Sequence, residues 1–305
     1  MKQFFVMAVG VLLAASCSNE SIDRVNNEAA EHGELATVPV MVQVSDFSVV
    51  MDDFSSGKAT SRGAEDPASY EGVGALILAF YDSEGAEVIK LTQIKSDGST
   101  YTTFGAFKAD LPVGTYTMVA LGYNHKDGDE FTLSSPTLAA FTTERPRETF
   151  CKTQSVTVTG SSALNLSVTL NRISSMLRLI STDGRPEEAK KIRTTYTKGG
   201  KSFNPTTGLA TVDTGFAQIN NPSTDVDATI NVISFPFLYS DEETMDITIE
   251  ALDADENVLF TKIVPNVPMQ RNRVTTMTGA VYSASASSVG FQLETGWIDG
   301  YSVNF

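Results

Sequence analysis

Two stretches of this chain alternate apolar and other residues at strict period two, and that pattern commits the chain to sheet. Val38, Val40, Val42 and Val44 alternate with Pro39, Met41, Gln43 and Ser45. At the other end Val289, Phe291, Leu293, Thr295, Trp297, Asp299, Tyr301, Val303 and Phe305 are every second residue, and nearly all are apolar or aromatic. Successive side chains of a strand point to opposite faces, so each stretch presents one face to a core. The second stretch predicts one long final strand with the only Trp at its centre. Gly296 and Gly300 fall among its outward positions and mark where it would bulge or bend.

The chain between these ends reads the same way. GALILAFYD and EVIKLTQI flank an Asp82-Ser83-Glu84-Gly85 turn, and Ser96-Asp97-Gly98 leads on towards YTTFGAFKADL. Asp-Gly and Glu-Gly pairs between strand-like runs are hairpin signals. After a loop-rich segment at 125–150, a second set starts at SVTVTG and runs through TINVISFPFLY, TMDITIEALDA and RVTTMTGAVY. Only residues 186–191 carry a helical hint, with Glu187 and Lys191 spaced to share a face. Short strands every 8 to 14 residues point to an all-β chain of antiparallel sandwiches. The length suits two in tandem, one over residues 36–160 and one over 161–305.

The N-terminus predicts export. Lys2 precedes an apolar run that ends in Leu13-Ala14-Ala15-Ser16 and then Cys17. That run is too short for a finished membrane span and reads as a secretory signal over residues 1–16. Small residues directly before a cysteine have the form of a bacterial lipobox, in which the Cys is lipidated and becomes the mature N-terminus. Residues 17–35 are polar and poor in aromatics, the composition of a flexible tether. Lys2 is the sole charge before Cys17, so cleavage there would take the formal charge from −15 to −16. Such acidity argues against nucleic acid or an anionic membrane surface as partner, since both need clustered Lys and Arg. With Cys17 lipidated, Cys151 has no disulfide partner and reads as a structural residue near a strand edge. Beyond the first strand, Thr60-Ser61-Arg62-Gly63-Ala64 sets a lone Arg among small polar residues, a suitable site for a trypsin-like protease. A cut at Arg62 would release the first strand and open an apolar groove.

Little in the sequence supports catalysis or a cofactor. His32 and His125 are the only histidines, too few for a usual zinc site. A Ser-His-Asp triad would have to use His125, and no Gly-x-Ser-x-Gly elbow presents a serine. Residues 195–202 contain Gly-Lys-Ser but start on Thr195 where a phosphate loop needs Gly. HKDGDE and LDADEN offer carboxylates suited to Ca²⁺, yet both sit at hairpin turns that favour Asp and Gly for backbone reasons. The expectation is a non-enzyme without metal or cofactor.

Several motifs in order resemble the fimbrillin lipoproteins of Bacteroides-type bacteria, the group of fimbrial subunits and their anchors. They are Cys17, Thr60-Ser61-Arg62-Gly63, Leu111-Pro112-Val113-Gly114-Thr115-Tyr116, Leu170-Asn171-Arg172-Ile173, Ser234-Phe235-Pro236-Phe237, and the run Asn266 to Arg273 with Thr278-Gly279 behind it. The resemblance implies two transthyretin-like sandwiches, export as a lipoprotein to the outer membrane and cell surface, and adhesion-supporting fimbriae built with other subunits. It implies that an Arg-directed protease cuts at Arg62, with Arg24 as a rival, and that the first strand (Val38, Val40, Val42, Val44) is displaced. Another subunit's strand then fills the groove. The donor candidates are Phe291, Leu293, Trp297, Tyr301, Val303 and Phe305. Anchor-type members keep their lipid instead. The alternative is a non-polymerising surface lipoprotein that binds glycan or host ligand.

Overall fold

The computed structural model describes residues 37–49, 63–96, 101–126, 128, 131–143, 145–160, 162–222, 230–283, 290–294 and 300–304. These form strands and turns, with no helix among the described residues. The strands are β1 (Thr37–Val49), β2 (Gly63–Glu65), β3 (Ala75–Tyr81), β4 (Glu87–Ile94), β5 (Ala106–Pro112), β6 (Gly114–Tyr123), β7 (Phe131–Ser135), β8 (Leu138–Phe141), β9 (Thr149–Val158), β10 (Leu164–Arg172), β11 (Met176–Ser181), β12 (Lys191–Tyr196), β13 (Ser202–Asn204), β14 (Leu209–Ala210), β15 (Phe216–Asn220), β16 (Ile230–Ser234), β17 (Glu242–Leu252), β18 (Val258–Gln270), β19 (Val274–Gly279), β20 (Gly290–Glu294) and β21 (Gly300–Asn304).

The first core lies between two groups of strands in one folded-over sheet. Its order is β2-β1-β10-β9-β6-β3-β4, with β5 also paired to β1. Strands β10 and β9 are bonded only at Asn171 opposite Cys151 and Arg172 opposite Phe150, so the sheet folds there and faces itself. Leu76, Leu78 and Phe80 of β3 and Met118 and Ala120 of β6 then meet Val40, Val42, Phe107 and Val168 from the other side. Strand β3 is buried along its whole length, because its second face is also covered. There Ile77, Tyr81, Leu121 and Tyr123 pack against Leu133 and Phe141 of the β7–β8 hairpin and against Phe203 and Phe237. The covering sheet, β14-β13-β8-β7, takes strands from both halves of the chain.

The second core is a sandwich of β16-β11-β19-β20-β21 on β15-β12-β17-β18. Leu177 and Leu179 of β11 and Met277 of β19 face Ile192, Tyr196, Ile247 and Ile249 across it. Two-layer sandwiches of this kind are what alternating strands build when one face of each must leave water.

Four features depart from the local reading. Strand β10 lies past the boundary expected at residue 160, yet it pairs with β1, and the chain leaves this sheet only after Arg172. That pairing is parallel, as are β11 with β19 and β19 with β21. Non-local parallel partners leave no mark on a period-two pattern. Residues 186–191 form a turn closed by the Ala189 amide donating to the Pro186 carbonyl at 3.1 Å. Cys151 lies in β9, an interior strand between β6 and β10, and is 4% exposed.

The predicted long final strand is also two strands. β20 and β21 pair antiparallel, with Leu293 opposite Tyr301, and both lie along the same edge of β19. The reversal falls between residues 294 and 300, the interval carrying the sequence's Gly296 and ending on Gly300. Period-two alternation continues unbroken through a hairpin, so it does not register the reversal.

Candidate functional site

The first strand and the seat it occupies form the most demanding site in the first sheet. Val38, Val40, Val42 and Val44 are 8%, 0%, 1% and 1% exposed, whereas Met41 on the opposite face is 41% exposed. Burying a valine is worth about 1.5–3 kcal/mol, so the four contribute roughly 6–12 kcal/mol. That is comparable to the ~5–15 kcal/mol net stability of a whole domain.

Both backbone edges of β1 are paired. On one side it runs parallel to β10, from Val40 opposite Leu164 to Ser48 opposite Asn171. On the other it meets β5 antiparallel, from Thr37 opposite Pro112 to Gln43 opposite Ala106, and then β2, with Val49 opposite Gly63. The register shifts between Val44 and Asp46, and here the strand changes partner. Gly105 holds the junction. Its carbonyl accepts from the Val44 amide at 2.9 Å, while its own amide donates to buried Gln93 at 2.8 Å. Gly105 sits at φ +94°, and an added Cβ would come within 3.1 Å of the Val44 carbonyl oxygen. Only glycine fits that conformation and approach.

Beside this seat, motifs distant in sequence converge. Arg172 ends β10 and is 4% exposed. Its Nε donates to Glu148 at 2.8 Å, one Nη to the Tyr70 hydroxyl oxygen at 3.0 Å and the other to Asn272 at 3.1 Å. The Tyr70 hydroxyl donates to Glu148 at 2.8 Å, and the guanidinium lies 4.9 Å from the Phe150 ring centroid. Burial raises the Glu148 carboxyl above its ordinary range, outweighing the opposing pull of Arg172 and of its hydrogen bonds. The Asn272 amide donates to the Ser174 carbonyl, and Ser175 donates its amide and hydroxyl to the Pro236 carbonyl. Leu170-Asn171-Arg172-Ile173, Ser234-Phe235-Pro236-Phe237 and the run to Arg273 therefore meet as one polar junction. In Leu111-Pro112-Val113-Gly114-Thr115-Tyr116, the Tyr116 hydroxyl donates back to the Pro112 carbonyl at 2.8 Å and locks the β5–β6 corner. The resemblance singled out these motifs but not their meeting.

The remaining expected sites fall as follows. Phe291 and Leu293 lie on β20, and Tyr301 and Val303 on β21. Cys17, Arg62, Trp297 and Phe305 lie outside the described residues. Strand β2 begins at Gly63, directly after Arg62, and its three residues pair with the end of β1. In LDADEN, the Asp253 carboxylate accepts from the Asp255 and Asn257 amides at 2.9 Å each, so it caps its own turn. Its side-chain bond to Asn257 leads the effects that hold this carboxyl below its ordinary value. Asp127, Asp129 and Glu130 of HKDGDE are outside the described residues. Burial pushes the Cys151 thiol up to about 12, which makes it an inert core group. Among the described residues no three of His, Cys, Asp and Glu cluster as a metal site.

Comparison with solved structures finds distant likenesses. A protein of Bacteroides thetaiotaomicron provisionally assigned to polysaccharide binding is 14% identical, with 85% of this chain and 96% of that one covered at a TM-score of 0.49. The fimbrial anchor protein Mfa2 of Porphyromonas gingivalis is 11% identical over 79% of this chain and 90% of its own, at 0.45. A fimbrial assembly protein of Parabacteroides distasonis is 9% identical over 82% and 92%, at 0.39. No curated protein matches the chain. Residues 47–298 match the model of a family of unknown function, DUF6562, and the chain belongs to that family.

Proposed function

We propose that this protein is a structural subunit of a cell-surface fimbria, joined to its neighbours by exchange of a β-strand. The observation that carries the reading is the state of β1. An N-terminal strand with four buried valines and partners along both edges is joined to the rest of its sheet through residues 50–62. Removing it would leave β5 and β10 with open edges around an apolar trough, a state costly in water until another strand fills it. An added strand would gain affinity from backbone hydrogen bonds and specificity from alternate side chains in the pockets left by the valines.

Delivery in this reading follows the lipobox. The chain is exported as a lipoprotein on Cys17 and reaches the outer membrane, where an Arg-directed protease cuts at Arg62. Gly63 then opens the mature chain at the start of β2, on the rim of the vacated seat. The C-terminal segment, with Phe291, Leu293, Trp297, Tyr301, Val303 and Phe305, is the donor proposed for the next subunit. The partners are other subunits, and the role is assembly and adhesion rather than catalysis. Mass spectrometry of the mature N-terminus on cells tests the reading, together with Arg62→Ala and a deletion of residues 289–305 scored for surface polymer. Gly63 at the N-terminus and loss of polymer in both variants support it. Lipidated Cys17 on assembled material would make the protein a membrane-retained anchor. Normal polymer from both variants would refute strand exchange.

A further inference from the structure

The strongest unassigned feature is a basic cleft of about 820 Å³ between the β8–β9 connection and the sheet containing β12 and β15. Lys126, Arg145, Arg147, Lys191 and Arg193 line it, five of the 22 Lys and Arg in a chain of formal charge −15. Gathering cations on an acidic protein focuses a local field of opposite sign to the whole. Part of that charge is matched. Lys191 meets Glu256 at 2.7 Å and Arg193 meets Glu250 at 2.6 Å. Among the described residues Lys126 and Arg145 have no carboxylate within 4.0 Å, although Glu256, paired to Lys191, also lines the cleft. Thr143, also in the lining, holds a buried hydroxyl with no hydrogen-bond partner among the described residues.

Three observations narrow the ligand. The volume lies within the roughly 300–1,000 Å³ of small-ligand sites. Among the described lining residues there is no aromatic ring, and the contacts on offer are charge and hydroxyl pairing. Strand β15 is the edge of its sheet, but Arg145 donates to the Ile219 carbonyl at 2.6 Å and occupies an acceptor that an added peptide strand would need. The cleft thus offers charge and hydroxyl pairing without strand addition. A long polyanion would also meet the acidic surface beyond the cleft, whereas at physiological salt a short one within ~8 Å of these cations would not.

We propose that this cleft binds a short oligoanion, its carboxylate or sulfate groups held by Lys126 and Arg145. The site uses no residue of β1 or of the C-terminal strands, so it stands apart from strand exchange. Calorimetry on the purified full-length protein with trigalacturonate, a sulfated disaccharide and neutral galactotriose tests it and separates the two anion sources. At least one acidic sugar should bind, weaken as salt rises, and lose about tenfold affinity on Lys126→Glu or Arg145→Gln, a change of ~1.4 kcal/mol. Lys126 is exposed, so Lys126→Glu leaves the fold intact, as circular dichroism would verify. Absence of binding to both acidic sugars, equal binding of galactotriose, or unchanged affinity in both variants would overturn the proposal.

Discussion

The two ends of the described chain are both strands, but they are held in opposite ways. Strand β1 is interior, with β10 along one edge and β5 and then β2 along the other, and it puts four valines into the first core. Strands β20 and β21 together cover one edge of β19, the first at Val274 and Thr275 and the second from Thr276 to Thr278. The first strand is an integral part of its core, while the last two pair with each other and along one edge of β19. If strands are exchanged between copies, losing the first strand is the costly step.

The largest effect expected from this contrast comes from deletion. Removing residues 37–49 takes away roughly 6–12 kcal/mol of apolar burial, enough to abolish cooperative urea unfolding of the first core. Removing 290–304 should leave one cooperative urea transition. Similar collapse in both would erase the distinction between the ends.

A second test concerns the strand beside β1. Arg172 is buried against Glu148, and removing one partner of such a pair costs about 3–5 kcal/mol. Arg172→Met should show that loss in urea unfolding, because it strands Glu148 and frees the end of β10 from Asn272. A change under about 1 kcal/mol would show that the junction does not hold β10 in place.

Within β1 itself the two faces should separate. Val40→Ala should cost about 2 kcal/mol, and Met41→Ala on the exposed face under about 0.5 kcal/mol. Equal costs would contradict the assigned register.

A smaller effect depends on pH. Burial raises the Glu148 carboxyl above its ordinary value, so the folded state favours its protonated form. Its contribution is complete below the unfolded value and is lost as pH rises through the folded one. From pH 4.5 upward, wild type should therefore lose stability relative to Glu148→Gln, by at most ~1.4 kcal/mol per pH unit. Parallel stability curves for the two proteins would show that burial does not raise this carboxyl.

The sequence disclosed this contrast only in part. The alternation of Val38, Val40, Val42 and Val44 identifies both strand and buried face, because period two is a local property of the backbone. The alternation from 289 to 305 identifies strand character but hides the reversal, since both arms of a hairpin alternate. The parallel partner of β1 lies more than 120 residues away, at Leu164 and beyond, and no local pattern specifies it. The junction of Arg172 with Glu148 and Asn272 and the basic cleft are likewise products of topology. Their residues carry no common spacing, and only the folded sheets bring them together.

Strand exchange requires that β1 can be replaced by a strand from another copy. Its most direct measurement is exchange on the purified protein cut at Arg62 by an Arg-specific protease, mixed with a synthetic peptide of residues 289–305 and passed over a sizing column. With strand exchange, the fragment carrying β1 elutes separately and the peptide remains with the body at one copy per subunit. Retention of the β1 fragment with no uptake of peptide would contradict it.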